Sequence, residues 1–196
     1  MMNSIRGSIR EVLEVSAVFI AVGLTFTAVS VLTSDIHFKI GTFRPIYSIP
    51  PHLVALSAMG LAVGFATSLF SIRFSMRPVI LSVVLMLLFD LDHIPAALGI
   101  PQPIRPAHSL LFLGVVVLAE LILLKKPIET GVLIGAAFLG HLAVDTGLFP
   151  LFYPFSMQYY ALNSIYPWLY VSAFVLAIMA GLLTRFNTRP PNFVRN

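Results

Sequence analysis

The sequence has 196 residues, of which 58% are hydrophobic and only 10% charged, against about 25% charged in an average soluble domain. Its mean hydropathy of +0.95 excludes an ordinary soluble domain and predicts an integral membrane protein. There is no cysteine, which excludes disulfides, thiolate zinc sites and cysteine nucleophiles. The formal net charge is +4, but the basic residues are scattered in short loops and form no basic face, so no nucleic-acid partner is expected.

Six apolar segments follow one another along the chain, each near the length of about 20 residues that crosses a bilayer as a helix. Prolines lie at their joints, as is typical where helices stop and start. The first segment is too long for a signal-peptide core, and Glu11 and Glu14 stand where a signal peptide carries only positive charge. The sequence predicts an all-α integral membrane protein, a single domain over residues 1–196 built as a bundle of six transmembrane helices. The predicted spans are Val12–Thr33, His52–Ile72, Val79–Leu98, His108–Leu124, Thr130–Phe149 and Ile165–Thr184.

Basic residues are distributed unevenly between the two sets of connecting loops, nine on one side and three on the other. This asymmetry predicts that both termini are cytoplasmic, and the protein is expected in the plasma (inner) membrane. The nine predicted cytoplasmic residues are Arg6, Arg10, Arg73, Arg77, Lys125, Lys126, Arg185, Arg189 and Arg195; the other three are Lys39, Arg44 and Arg105.

Four short polar clusters interrupt the apolar segments, and each falls at the predicted non-cytoplasmic end of its helix. A charged residue inside a bilayer costs about 2.5–3.5 kcal/mol on insertion scales, so such residues indicate a functional site. Carboxylates and imidazoles together are ligands for zinc or manganese. The pattern predicts one metal site at one membrane face. The clusters are PPHL with His52, FDLDH with Asp90, Asp92 and His93, RPAHSL with His108, and GHLAVD with His141 and Asp145.

The spacing within two of the clusters leaves alternatives open. His141 and Asp145 are four residues apart and share a helical face, so both can bind one metal, or Asp145 can orient a ligating imidazole. A buried His–Asp hydrogen bond between helices is the purely structural alternative. Asp90 and Asp92 cannot share one helical face, so we expect the helix to unwind there or the second carboxylate to meet another ion. A solvated helix end is the alternative, although acids at a C-terminus oppose the helix dipole.

Isolated polar residues carry weaker predictions. His108 taken alone is typical of an interfacial or capping residue. Arg105 can clamp an anionic group such as phosphate or anchor its loop to lipid headgroups. Glu120 is expected to be an interfacial charge, and His37 is assigned no role.

The segments DLDHIP, RPAHSLLF and GHLAVDTG, followed by LFYPFS, occur in the order and spacing of motifs in a known family. They resemble the YdjM-like (LexA-binding, inner-membrane-associated) family of membrane-bound metal-dependent hydrolases, and PPHLVALSAMGLAVG is similar to that family's early His-containing helix. The resemblance covers about residues 52–156. It departs where Ile104-Arg105-Pro106-Ala107 precedes His108, since the family often has His-Arg-Gly ahead of Thr-His-Ser.

The family is distantly similar to zinc-dependent phospholipase C and to single-strand zinc nucleases, and phospholipase-like activity is suggested for it. The resemblance therefore implies a set of metal ligands or catalytic groups. These are His52, Asp92, His93, His108, His141 and Asp145, with Asp90 next.

Together these inferences predict an enzyme, a hydrolase in which one or two divalent ions, zinc or else manganese, activate a water. Its expected partner is a lipid or lipid-linked (phospho)ester at the non-cytoplasmic interface. Asp92 or Asp145, whichever is not a ligand, would be the general base, with His108 and Arg105 completing the catalytic group. The aromatic loop over residues 149–160 is expected to be a lid or an interfacial belt. A divalent-cation or proton transporter with the same cluster is the alternative, and the oligomeric state stays open.

Overall fold

The computed structural model describes residues 2–33, 49–94, 105–145, 148–156, 158–162 and 164–187. Within these ranges the chain is predominantly α-helical, which confirms the predicted all-α class. The exception is a short antiparallel pair of strands, β1 (Leu148–Phe149) and β2 (Tyr160–Ala161), which the sequence did not predict. The α-helices are α1 (Met2–Thr33), α2 (Ile49–Phe70), α3 (Met76–Leu88), α4 (Leu110–Ile122), α5 (Ile128–Val144) and α6 (Tyr166–Asn187).

Three of these helices are long and apolar enough to cross a membrane, over Ile9–Val29, Pro51–Phe70 and Tyr166–Asn187. The helices α4 and α5 are apolar but shorter, with 13 and 17 residues, and α3 has 13. The shortening has a local cause, because the polar clusters replace α-helix with 3₁₀ turns over Phe89–His93 and Pro106–His108. The count of six spans therefore remains a prediction.

Serine side chains fix the starts of two of the shorter helices. The Ser75 hydroxyl accepts a hydrogen bond from the Arg77 amide (3.2 Å) at the start of α3. The Ser109 hydroxyl accepts one from the Phe112 amide (3.1 Å) at the start of α4. Each hydroxyl satisfies one of the amide groups that a first helical turn leaves without a partner. The position of α4 relative to its preceding 3₁₀ turn is therefore determined locally.

Helix α5 lies at the centre of the bundle, where it contacts α2, α3, α4 and α6, and most of its residues are buried. A cluster of aromatic rings packs edge to face between α1, α3 and α4, with Phe19 lying 4.8 Å from Phe89 and 5.1 Å from Phe112 between ring centroids. This packing brings the first turn of α2, the end of α3, the start of α4 and the end of α5 to one end of the bundle. All four predicted polar clusters lie there.

Candidate metal centre

The FDLDH cluster forms a 3₁₀ turn, Phe89–His93, that directly continues α3. A 3₁₀ helix has about three residues per turn. Asp90 and His93 are three residues apart and therefore lie on one side, with the Asp90 Oδ1 3.6 Å from the His93 Nε2. Asp92 is buried, and its Oδ1 lies 3.7 Å from the same His93 Nε2. The α-helix changes before the two carboxylates, but into a tighter 3₁₀ turn and not into the predicted unwound segment. The Oδ2 atoms of Asp90 and Asp92 lie near different side chains, those of His52 and His108.

Asp92 holds the RPAHSL turn in place through a single oxygen. Its Oδ2 accepts a hydrogen bond from the Ala107 amide (3.0 Å) and lies 3.2 Å from the His108 Nδ1. A carboxylate at Nδ1 places the ring proton there and turns the Nε2 lone pair toward the opposite side. The His108 Nε2 therefore faces the interior of the cluster, and the imidazole is completely buried.

The His141 ring is oriented by a backbone carbonyl. Its Nδ1 lies 3.0 Å from the carbonyl oxygen of Met86 on α3, an acceptor that requires the proton on Nδ1. The His141 Nε2 then lies 3.0 Å from the His108 Nε2. With both rings neutral, two nitrogen lone pairs face each other in a buried space, an arrangement that a cation bound to both would stabilise.

Two carboxylates complete the inner group. Asp145 follows the last residue of α5 in an extended conformation, which brings its Oδ2 to 3.4 Å from the His108 Nε2. The Asp90 Oδ1 lies 3.5 Å from the His141 Nε2. Ligands bound at 2.0–2.1 Å around a tetrahedral zinc ion are about 3.3 Å apart. The observed separations therefore suit a divalent ion with mixed nitrogen and oxygen ligands.

Unsatisfied buried atoms support the same interpretation. Within the part of the chain that the structure describes, the Oδ1 atoms of Asp90 and Asp92 and the Nε2 atoms of His52 and His93 are buried without a hydrogen-bond partner. The His52 Nε2 is 3.0 Å from the Asp90 Oδ2, yet their orientation is not that of a hydrogen bond. Buried polar atoms are normally satisfied, so this concentration of exceptions at one place points to a ligand.

The charges of the cluster also favour a cation. Three carboxylates, Asp90, Asp92 and Asp145, face one guanidinium, that of Arg105. With neutral histidines, two negative charges remain uncompensated, and carboxylates this close repel each other unless a cation intervenes. One divalent ion would balance them. Buried groups able to hold a metal ion are thus present, in two overlapping sets: Asp90, His93 and His108, and His108, His141 and Asp145.

Arg105 lies at the outer edge of the cluster. Its Nη1 donates a 2.7 Å hydrogen bond to the Asp145 Oδ2, and its side chain is partly exposed whereas that of Asp145 is buried. Tyr159 lies in the connecting loop that follows β1, where burial raises the pKa of its phenol and the positive charge of Arg105 partly offsets that rise. The phenol is therefore a hydrogen-bond donor at neutral pH.

All seven predicted ligands meet at this one place, with the most exposed of them at its rim. The side chains of His52 and Asp90 are mostly buried, that of His93 is about one third exposed, and those of Asp92, His108, His141 and Asp145 are essentially inaccessible. His141 in the last turn of α5 and Asp145 directly after that helix reach the same cluster. They do not share the helical face expected from their spacing, because α5 ends at Val144 and Asp145 is extended.

Several contributors could not be read from the sequence. The Met86 carbonyl that orients His141 is a backbone group, and only the packing of α3 on α5 brings it there. The Phe149 ring stacks on His108 with 5.7 Å between centroids, although the aromatic loop was predicted only as a lid or belt. Glu120 was expected at an interface, but it is completely buried and neither of its carboxylate oxygens has a hydrogen-bond partner among the described residues.

Comparisons with known proteins give no relative from which to transfer a role: no family model matches the chain, and no curated protein or solved structure is similar to it. The motif resemblance to the YdjM-like family thus stays a prediction from the sequence.

Proposed function

We propose that this protein is a membrane-embedded hydrolase that uses a bound divalent metal to cleave a lipid or lipid-linked ester. The observation that carries the proposal is the group formed by His108, His141, Asp90 and Asp145, in which the His141–His108, His108–Asp145 and His141–Asp90 pairs have ligand atoms 3.0–3.5 Å apart. We further propose zinc as the metal, because the group mixes imidazole nitrogen with carboxylate oxygen. Manganese is the second choice.

Each residue of the cluster has a place in this proposal. His108 and His141 would hold the ion through Nε2, with Asp145 and Asp90 supplying oxygens, and His52 and His93 lie at the rim beside Asp90. When bound, the metal would lower the pKa of a coordinated water toward neutrality and polarise the ester. Asp92 is the carboxylate that belongs to neither potential ligand set. Its unpartnered Oδ1 can accept the proton of the attacking water.

Arg105 is suited to bind an anionic part of the substrate. A guanidinium has five N–H donors, and the Asp145 carboxylate takes one hydrogen bond from it at Nη1. Because the Arg105 side chain is partly exposed, it can hold Asp145 and contact a phosphate at the same time. This favours a phosphoester over a neutral ester.

The membrane setting favours an amphiphilic substrate. The polar cluster lies at one end of an apolar bundle, close to large exposed side chains such as Phe152 and Phe155 in the adjoining loop. Aromatic residues of this kind are typical of the membrane–water interface. We propose six spans with both termini inside, which puts the cluster at headgroup depth on the non-cytoplasmic face of the inner membrane.

A transporter would need polar groups that continue from the cluster through the bundle. The aromatic cluster of Phe19, Phe89 and Phe112 instead lies directly against the site, with the Phe89 ring 5.3 Å from that of His141. These rings close the inner side of the cluster with apolar surface. We therefore propose hydrolysis, with cation transport as the competing outcome of the test.

The experiment uses purified full-length protein reconstituted into nanodiscs. Bound metals are measured by elemental mass spectrometry, and extracted membrane lipids and lipid-linked phosphates are offered as substrates, with products identified by mass spectrometry. Asp145→Asn removes a ligand charge, and Glu129→Gln makes the same chemical change at the other end of α5, where Glu129 accepts a hydrogen bond from Asn187. We expect metal and activity in the wild type and in Glu129→Gln, and loss of both in Asp145→Asn.

Chelation should abolish activity, and readdition of zinc or manganese should restore it. Equal metal content and equal turnover in Asp145→Asn and the wild type would refute the proposal. If no ester is cleaved while wild-type vesicles take up a divalent cation, the transporter is correct instead.

A further inference from the structure

A groove of about 310 Å³ runs along the outside of the bundle between α4, α5 and α6. Its lining consists of apolar side chains and glycines, and Ile128 at its inner end is exposed. The residues that define its shape are Leu113, Val117 and Leu121 on α4, Gly131 and Gly135 on α5, and Leu176 on α6.

The glycines of this groove differ from an equally spaced pair elsewhere in the chain. Gly60 and Gly64 on α2 serve close helix packing, because a Cβ added at Gly64 would lie 2.3 Å from the Val79 Cα of α3. A Cβ at Gly131 would instead meet the Val117 side chain at 3.1 Å, and one at Gly135 the Leu176 side chain at 3.5 Å. Gly131 and Gly135 therefore form the floor of a groove whose walls are flexible side chains.

The groove is better suited to a thin chain than to another helix. Helix pairs that use two glycines four residues apart need the glycine surface open, so that backbones can approach. Here the Val117 and Leu121 side chains lie 3.1–4.0 Å from the position of a Cβ added at Gly131, and a helix with side chains is about 10–12 Å across. An alkyl chain can lie between these side chains and contact the glycine floor.

The groove starts close to the candidate metal centre. Leu113 follows His108 by five residues, just inside the start of α4 at Leu110, and Gly135 precedes His141 on α5 by six residues, about 9 Å along the helix axis. From Leu113 to Leu121 the groove extends about 12 Å in the direction away from the metal centre. An amphiphile with its polar group at the cluster would thus have a place for its tail.

We infer that this groove binds one alkyl chain of the amphiphilic substrate, an inference that rests on the proposed function and specifies where the substrate's tail lies. Enclosing the chain against α5 would position the ester bond at the cluster. It would also favour substrates whose tail is long enough to reach the Gly131 floor.

The test uses nanodiscs containing a phospholipid with a photoactivatable diazirine in its acyl chain, with labelled residues identified by mass spectrometry. Leu118 and Ile122 provide an internal reference, because they are 57% and 66% exposed on α4 at similar depth but outside the groove. We expect labelling of Val117 and Leu121 to exceed that of Leu118 and Ile122 several-fold. Equal labelling would mean that the groove holds only bulk lipid and would overturn the inference.

Gly135→Leu should fill the groove and abolish the excess labelling. Gly114→Leu is the matched control, because it makes the same change on α4 at a position where an added Cβ meets nothing within 4 Å. Leu176→Phe narrows the groove from α6 and provides a second test if Gly135→Leu does not fold. Excess labelling that persists in the folded filled variants would overturn the inference, as would a cross-link between two copies of the protein through the groove.

The labelling requires neither metal nor turnover, so it separates this inference from the proposed function. Metal-dependent hydrolysis without groove labelling would refute the alkyl-chain site alone. Groove labelling in a protein that neither binds metal nor hydrolyses esters would refute the hydrolase and leave a lipid-binding groove.

Discussion

The two buried histidines differ in what orients them, although both turn Nε2 toward the same space. His108 is held by a carboxylate, that of Asp92, and His141 by a backbone carbonyl, that of Met86. A partner at Nδ1 fixes the ring and makes Nε2 a better ligand. The ionic partner can be altered by a side-chain substitution, whereas the carbonyl cannot, so the two histidines can be tested in different ways.

His141→Ala should remove most of the bound metal, because it deletes a ligand while leaving α5 packed against four other helices. His37→Ala is the matched control, since it makes the same substitution at a histidine that lies outside the described residues and has no assigned role. Metal per protein is measured by elemental mass spectrometry after gel filtration. Undiminished metal in a monodisperse His141→Ala protein would contradict the ligand assignment.

Asp92→Asn should lower turnover or metal affinity about 10–100-fold, the usual effect of losing the partner that orients a ligating histidine. The asparagine keeps the shape and can still accept a hydrogen bond from the Ala107 amide, so the thermal unfolding temperature should change little. Kinetics, metal titration and a melting curve on the same preparation separate these effects. A large drop in melting temperature at unchanged turnover per folded protein would show that Asp92 serves only the structure.

At this scale the sequence predicted the Asp and His residues that meet at the cluster but not their neighbours. Seven Asp and His residues stood out because their types are rare in apolar segments. The contact of the Met86 carbonyl with His141 and the burial of Glu120 both result from the way the helix faces pack together. The type of a single residue does not reveal this packing.

The lengths of the helices depend on the polar clusters as much as on the apolar segments. Predicted spans of about 20 residues appear as helices of 13–17 residues in α3, α4 and α5. Polar 3₁₀ turns lie at the cluster ends of α3 and α4, and α5 ends at Val144, where Asp145 is extended. The helical period predicted that the helix changes at Asp90 and Asp92, but the change is a tightening into a 3₁₀ turn and not the expected unwinding. The sequence did not predict the β1–β2 pair, since two-residue strands have no periodicity to detect.

The contact between α2 and α3 depends on Gly60 and Gly64. Gly64→Ala should destabilise the protein by about 1–3 kcal/mol, as overpacking typically does, because the added methyl group would meet the backbone at Val79 and Pro78 within 2.9 Å. Gly114→Ala is the control, since its Cβ has open space and alanine favours the helix. Thermal unfolding in detergent measures both; an equal effect of the two substitutions would mean that α2 and α3 do not approach this closely.

On the scale of the whole molecule, charge is divided between the two ends of the bundle. One end carries the candidate metal centre, and the other carries ion pairs that tie α1 to its neighbours, Glu11 with Arg77 and Glu14 with Lys126. Glu120 lies buried near the latter end, on α4. The sequence predicted this division from loop charges and motif positions, but it could not supply the inter-helix pairs, which join residues far apart along the chain.

The topology prediction can be tested because the chain has no cysteine to interfere. The positive-inside asymmetry predicts that Arg73 faces the cytoplasm, while Phe155, 83% exposed in the loop beside the candidate metal centre, should face the opposite side. Single cysteines at the two positions, Arg73→Cys and Phe155→Cys, are treated with a membrane-impermeant thiol reagent in intact cells and in inside-out vesicles. We expect Phe155→Cys to react only from the non-cytoplasmic side and Arg73→Cys only from the cytoplasmic side.

The polypeptide passes from Arg73 to Phe155 through α3, α4 and α5. Labelling from opposite sides therefore requires that this segment cross the membrane an odd number of times, and the six-span arrangement predicts three crossings there. Labelling of both positions from one side would mean that these shorter helices do not together carry the chain across; if that side is the cytoplasmic one, the candidate metal centre lies on the cytoplasmic face.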